Sequence, residues 1–204
     1  MRIVRPAVAV ATLACLAGGV TANAATKPVC NLVTDAAGDA SLQPPVPSDD
    51  SLDILSGDVA SDAKKVTAVL RLKNLGATSP ATFTGRNYYA QFTLAGAAYP
   101  IYFSAENDGI GVTYKWGDLE PGSAGLPTYT SKGDAVGTLD KAKNEIRLTV
   151  PVSDLSAFGK AKPGNKLSEL HLSTTAVLGV LVADVDSADG SKSYVAGSLS
   201  CVKP

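Results

Sequence analysis

Short stretches in which apolar and polar residues alternate, separated by turn residues, constrain this chain more than any other feature. The clearest example is residues 66–75, where Ala68, Leu70 and Leu72 fall on one face of an extended chain. This pattern predicts a β-strand, and a polar turn before it predicts a hairpin with the preceding stretch, residues 52–61. No part of the chain after its N-terminal apolar run shows the 3.6-residue periodicity of a long helix.

About ten stretches of this kind predict an all-β fold, an antiparallel two-sheet β-sandwich, with a closed β-barrel as the alternative. Two segments depart from the pattern. Residues 152–158 predict one short helical turn, and residues 184–193 predict an acidic loop.

The N-terminus has the layout of a secretory signal peptide. Arg2 and Arg5 form a basic region, residues 7–20 are mostly apolar, and small residues precede a predicted cleavage after Ala24. We therefore expect a signal peptide over 1–24, a single domain over 25–204 and a secreted protein with no membrane span in its mature chain. An uncleaved anchor, and a lipoprotein modified at Cys15, are less favoured alternatives.

The cysteines and the charge of the chain indicate which covalent bond it forms and which partners it is unsuited to bind. With Cys15 removed, Cys30 and Cys201 remain, and two cysteines in an exported chain are expected to pair; two free buried thiols are the alternative. Without Arg2 and Arg5 the chain has 16 basic and 19 acidic residues (18 − 2 = 16 against 19). The absence of a basic run argues against nucleic acid or anionic lipid as the main partner.

An acidic stretch opens the mature chain. Asp35, Asp39 and Asp53 have no lysine or arginine between them. Carboxylates crowded in this way repel one another unless they are solvated or gather a hard cation, usually calcium. Solvated aspartates that cap their own turns are the alternative interpretation.

Three short motifs carry a resemblance to a known group of domains. Residues 34–39 (TDAAGD), 52–54 (LDI) and 146–155 (IRLTVPVSDL) resemble segments of extracellular DOMON-like sandwiches. That group includes the family 9 carbohydrate-binding modules and the C-terminal domain of glucodextranase. The resemblance implies a β-sandwich, often with a structural calcium near the chain start, that binds sugar or haem or serves as an accessory module.

The resemblance also implies a set of site residues. It points to Asp35, Asp39 and Asp53 as calcium ligands. Asp184, Asp186 and Asp189 are predicted to contribute from the far end of the chain, which the cysteine pair would bring close to the first set. Haem is disfavoured because the chain has one histidine, and its single methionine is at position 1.

Aromatic residues suggest where a sugar could bind. Tyr114 and Trp116 are two residues apart on a predicted strand, so their rings share one face and could stack on a sugar. Burial of Trp116 in the core is the alternative, because large aromatic side chains bury much apolar area.

Catalysis has little support in the sequence. His171 is the sole histidine, and no Gly-x-Ser-x-Gly nucleophile motif is present. The prediction is therefore a secreted non-catalytic binding or accessory module, with carbohydrate as the first ligand class. A cell-envelope module that binds a cell-surface protein is the alternative, and an unrecognised hydrolase is less favoured.

Overall fold

A computed structural model describes residues 30–41, 49–78, 80–122, 127–161, 165–190, 194–195 and 199–203. The predicted signal peptide lies outside the described residues. In the described part, the strands pair antiparallel in two separate sheets, which confirms the predicted sandwich rather than the closed alternative. None of the helices in this part of the chain has the length and apolar character needed to cross a bilayer.

The smaller sheet has five strands. They are β1 (Val33–Thr34), β2 (Ile54–Ser61), β3 (Lys65–Leu72), β8 (Val136–Asp140) and β9 (Glu145–Pro151), in the spatial order β1-β2-β3-β9-β8. β2 and β3 form the predicted hairpin. Ala68, Leu70 and Leu72 of β3 are buried in the main core as their alternation predicts, whereas Val69 packs on the outer face.

The larger sheet has seven strands. They are β4 (Gly85–Leu94), β5 (Ile101–Asn107), β6 (Val112–Pro121), β7 (Pro127–Asp134), β10 (Lys166–Leu178), β11 (Leu181–Asp189) and β12 (Tyr194–Val195). The order across this sheet is β11-β10-β4-β5-β6-β7, and β12 pairs with the start of β10. Only Ala135 separates β7 from β8, so the chain passes between the sheets in a single residue.

The core lies between the inner faces of the two sheets. Tyr88, Phe92 and Phe103 from the larger sheet are fully buried, as are Ile146 and Leu148 from β9. The rings of Phe92 and Phe103 meet edge to face with centroids 5.2 Å apart, a favoured geometry for paired aromatic side chains.

Two local predictions near the C-terminus have different outcomes. The predicted helical turn is confirmed as α1 (Val152–Leu155), which buries Val152 and Leu155. The predicted acidic loop is wrong over most of its length, because β11 extends to Asp189. Val185 and Ala188 are buried in the core, and that burial stabilises a strand where acidic residues suggested a loop.

The predicted disulfide between Cys30 and Cys201 is present, with 5.3 Å between the two Cα atoms. Cys201 lies in a 3-10 turn (Leu199–Val202) that packs on the outer face of the smaller sheet. Arg71 of β3 fixes this arrangement, because it donates to the Cys201 carbonyl at 2.7 Å and to Asp58 Oδ2 at 2.6 Å.

Candidate functional site

Three carboxylates from distant parts of the chain converge beside β11. Asp35 and Asp39 lie just after β1, and Asp186 lies on β11. One carboxylate oxygen from each residue lies within 4.8 Å of the others. Asp186 Oδ2 also accepts the backbone N–H of Ile54 at 2.6 Å, so the start of β2 holds this carboxylate in place. We call these three residues the acidic group.

The loop that carries Asp35 and Asp39 is shaped by Gly38 and Asp53. Gly38 has a φ of +91°, a conformation that residues with a side chain rarely adopt. Its N–H donates to Asp53 Oδ2 at 2.7 Å, and Lys73 Nζ lies 3.4 Å from the same oxygen. Asp53, the third ligand predicted from this stretch, is not one of the three carboxylates that lie within 4.8 Å of one another, although its Oδ1 is buried without a hydrogen-bond partner among the described residues. It is a buried carboxylate that holds the loop in shape.

The surroundings of Asp186 disfavour the charged form of its carboxyl group. Burial, and then the charges of Asp35 and Asp39, raise the pKa of Asp186 to about 6. Asp35 Oδ2 is buried without a hydrogen-bond partner among the described residues. A buried carboxylate oxygen without a donor, beside two further carboxylates, fits the oxygen ligands that a hard cation such as calcium takes.

The other two aspartates predicted from the end of the chain are not in the acidic group. Both lie on β11 with exposed side chains. Asp184 is opposite Thr175 in the strand register, and Asp189 is opposite His171. Asp189 Oδ1 lies 2.8 Å from His171 Nδ1. The register of β10 and β11 is irregular between Asp184 and Asp186, and of these three aspartates only Asp186 joins Asp35 and Asp39.

The predicted stacking face of Tyr114 and Trp116 is wrong. Trp116 is 4% exposed and packs edge to face against Phe158, with ring centroids 5.4 Å apart. Tyr114 is half-buried, and its ring covers Gly137 so closely that a Cβ there would lie 2.1 Å from it. Burial of both rings against apolar surface between the sheets is more favourable than their exposure to water.

A different tyrosine lies on the outer face of the larger sheet. Tyr129 of β7 is 43% exposed. Its ring centroid lies 5.1 Å from that of Tyr89 and 5.0 Å from that of Tyr102. Its hydroxyl accepts from Gln91 Nε2 at 2.8 Å. The side chain of Tyr129 therefore reaches inward from the edge strand as far as β4.

Gly117 explains how Tyr129 can take this position. It is next to an irregularity in the β6–β7 register. A Cβ at Gly117 would lie 2.0 Å from the Thr130 carbonyl and 2.8 Å from the Tyr102 ring. Only glycine lets the backbone of β7 come this close to the aromatic cluster.

An open groove of about 510 Å³ runs beside Tyr129. Its lining combines one aromatic ring with amide, imidazole, hydroxyl and carboxylate groups, from Gln91, Pro127, Tyr129, His171, Ser173, Asp184, Val185, Asp186 and Ser187. β7 and β11 both contribute to it, although four strands separate them in the sheet. The outward face of the larger sheet is therefore curved into a trough.

The sequence contained only a weak signal for this groove. Tyr129 lies in a short strand between Gly- and Pro-rich residues and has no aromatic neighbour in sequence. The contacts that define it join β7 to β4, β5 and β11. They depend on sheet curvature, which local alternation does not specify. No known protein-family model matches this chain, and no curated protein matches it.

Proposed function

We propose that this chain is an exported, non-catalytic binding module that holds a carbohydrate in the groove between β7 and β11. The observation that carries the proposal is Tyr129, a partly exposed ring backed by Tyr89 and Tyr102. A rigid flat ring offers an apolar surface to the C–H face of a sugar, while the polar lining offers partners for its hydroxyls. The disulfide supports export, because such bonds persist in oxidising compartments.

We propose a non-catalytic role because the described residues that line the groove include no activated nucleophile. His171 and Asp189 are paired, and Ser173 lies two residues along the same strand. Within the described residues, however, no hydrogen bond joins the Ser173 hydroxyl to His171, and Ser173 is 8% exposed. A serine hydrolase needs that hydrogen bond to deprotonate its nucleophile.

The acidic group supports a second part of the proposal, a structural calcium ion. Asp35, Asp39 and Asp186 would supply the carboxylate ligands, with backbone carbonyls and water completing six to eight oxygens. The ion would offset both the burial of the Asp186 carboxylate and its repulsion by Asp35 and Asp39, which together raise the pKa of Asp186. It would also link the loop after β1 to β11, whose other residues line the groove.

Replacement of Tyr129 tests the carbohydrate proposal. The oxidised mature protein is screened on a glycan array, and affinities for the sugars it retains are measured by titration calorimetry. We expect Tyr129→Ala to weaken binding on the order of tenfold, from a lost contact worth ~1.4 kcal/mol. Tyr129→Phe keeps the ring and should retain most of the affinity.

Tyr99 provides a matched control for this experiment. It is 40% exposed, close to the 43% of Tyr129, but it does not line the groove. Tyr99→Ala should therefore leave the affinity unchanged. Equal losses for both alanine variants, or no sugar bound by the unaltered protein, would overturn the proposal.

The cell-surface protein alternative is supported by a separate observation. Ile110 and Val180 are 97% and 98% exposed, and Leu181 and Val182 are more than half exposed. These four residues, here called the apolar tips, lie at the turns of the β5–β6 and β10–β11 hairpins. Both turns lie against Thr84, so the tips belong to one end of the sandwich. Exposed aliphatic groups gathered in this way are typical of a protein-binding surface.

A further inference from the structure

The charge of the groove suggests which sugars it would accept. Asp184 is exposed at its wall, and Asp186 is half-buried there. Among the described residues, none that lines the groove is a lysine or an arginine. Asp189, paired with His171, adds a third carboxylate nearby.

Two lysines of the larger sheet, on β6 and β7, pair with acidic residues outside the groove. Lys115 Nζ lies 3.2 Å from Glu106 Oε2. Lys132 Nζ lies 3.2 Å from Asp118 Oδ1 and 3.0 Å from Glu120 Oε1. Both lysines are therefore occupied by acidic partners of their own.

Asp184 is the carboxylate available to a ligand. In the described part of the chain, its side chain makes no hydrogen bond or ion pair. Asp184 and Tyr129 line the same groove, and burial, followed by the charge of Asp184, raises the pKa of the Tyr129 phenol. A ligand stacked on Tyr129 would therefore bring its substituents close to the Asp184 carboxylate.

Three classes of sugar would meet this carboxylate differently. A neutral sugar would displace water from the Asp184 carboxylate without supplying a positive charge to compensate for the lost hydration. The carboxylate of a uronic acid would be repelled by Asp184, and this repulsion would weaken its binding. A sugar with a free ammonium group would form a charge-assisted hydrogen bond while its ring covers Tyr129.

We propose that the groove is selective for amino sugars with a free ammonium group, of the glucosamine-oligomer class, and that Asp184 pairs with that ammonium. This inference rests on the proposed carbohydrate function and adds the ligand class to it. Tyr129 contributes the stacking surface, and Asp184 determines the preference among sugars.

Calorimetry with four matched oligomers tests the proposal at pH 6.5 and low salt. The ligands are hexamers of glucosamine, N-acetylglucosamine, galacturonic acid and lysine. We expect glucosamine to bind roughly fivefold more tightly than N-acetylglucosamine, the size expected of a partly exposed ion pair. Galacturonic acid should bind weakest, and high salt should remove the preference.

Two variants assign the preference to one residue. Asp184→Asn should bring the glucosamine and N-acetylglucosamine affinities to within about twofold of each other, without weakening N-acetylglucosamine. Asp134→Asn removes the same charge from an exposed position on β7 outside the groove, and it should keep the preference. Asp184 is exposed, so both variants should keep the thermal midpoint of the parent.

The outcomes separate this inference from the function on which it rests. Equal affinities for glucosamine and N-acetylglucosamine would overturn the ammonium selectivity and leave a carbohydrate groove. Lysine hexamer that binds as tightly as glucosamine would overturn the requirement for a sugar ring. If none of the sugar hexamers bound and the glycan array were also blank, both proposals would fail.

Discussion

Asp186 is the residue at which the two candidate sites meet. Its Oδ2 accepts from Ile54 across 132 residues of sequence, and its Oδ1 accepts from the next residue, Ser187. It belongs to the acidic group and also borders the groove. A change at this one carboxylate should therefore affect both the metal-dependent stability of the fold and the wall of the groove.

The pKa of Asp186 predicts a pH dependence in the metal-free protein. Its value of about 6 lies above the ~3.9 of an aspartate in an unfolded chain. The folded state therefore binds more protons between these values. The contribution of Asp186 to stability is fully present below pH 4 and is lost as the pH rises through 6.

Thermal unfolding in EDTA from pH 4 to 8 measures this effect. Asp186→Asn keeps an acceptor for the Ile54 N–H but has no charge. The thermal midpoint of Asp186→Asn should rise relative to that of the parent as the pH increases through 6. The midpoint of Asp134→Asn should show no such relative rise. Parallel midpoint curves for the parent and Asp186→Asn would contradict the prediction.

The β10–β11 hairpin has two ends with different surroundings. Near Asp186 and Ser187 it packs against the loop after β1, and Ser41 N–H donates to the Val185 carbonyl at 3.0 Å. At its turn, Val180 and Leu181 project into solvent. Apolar side chains that cover nothing do not stabilise the sandwich, so their contribution should appear in intermolecular contacts.

Polar substitution of the turn tests this prediction. Val180→Ser combined with Leu181→Ser should leave the thermal midpoint within about 1 °C, because nothing buried is lost. Retention on a phenyl hydrophobic-interaction column should fall. Val185→Ser, which alters a side chain that is 6% exposed, should instead cost about 2 kcal/mol of unfolding free energy. Unchanged retention of the double variant would count against the tips as a binding surface.

A bound calcium ion would link the loop after β1 to β11, and would thereby add a second connection to the one that the Cys30–Cys201 disulfide makes between early and late parts of the fold. A ligand that binds only the native state at a hundredfold excess over its dissociation constant stabilises it by ~2.7 kcal/mol. For a domain of this size, that corresponds to a midpoint rise of roughly 5–10 °C. Melting curves of the oxidised protein in EDTA and in calcium measure the rise.

The double variant Asp35→Asn, Asp39→Asn should lose this response to calcium, and Asp134→Asn should keep it. A midpoint that does not change at millimolar calcium would overturn the metal proposal. The acidic group would then be a set of partly solvated aspartates. The carbohydrate proposal would be unaffected, because Tyr129 is not part of that group.

Local patterns were sufficient to predict the sandwich, the β2–β3 hairpin and the helical turn, because each depends on the order of apolar, polar and turn residues within a few positions. β11 was missed because its aspartates outweighed the two inward-facing residues, Val185 and Ala188. The disulfide followed from the predicted loss of Cys15 with the signal peptide, which leaves two cysteines in an exported chain. The sequence therefore determined most elements of the fold without specifying how they curve.

The candidate sites depend on packing between distant strands and were predicted only in part. Asp35, Asp39 and Asp186 do meet, whereas Asp53 turned out to hold the loop beside them. Trp116 shared a face with Tyr114 as alternation requires, but that face is the buried one. Which face of a strand is buried depends on the opposite sheet, and Tyr129 owes its position to the close approach allowed by Gly117.

The disulfide also determines how the molecule can be attached to a surface. Cys201 and the adjoining Lys203 lie on the outer face of the smaller sheet, where Arg147 donates to the Lys203 carbonyl at 2.6 Å. The groove opens on the outer face of the other sheet, across the full thickness of the sandwich. A tether attached next to Lys203 would thus hold the domain by the outer face of its smaller sheet. The groove would face solution, the orientation required of a sensor chip or an affinity resin.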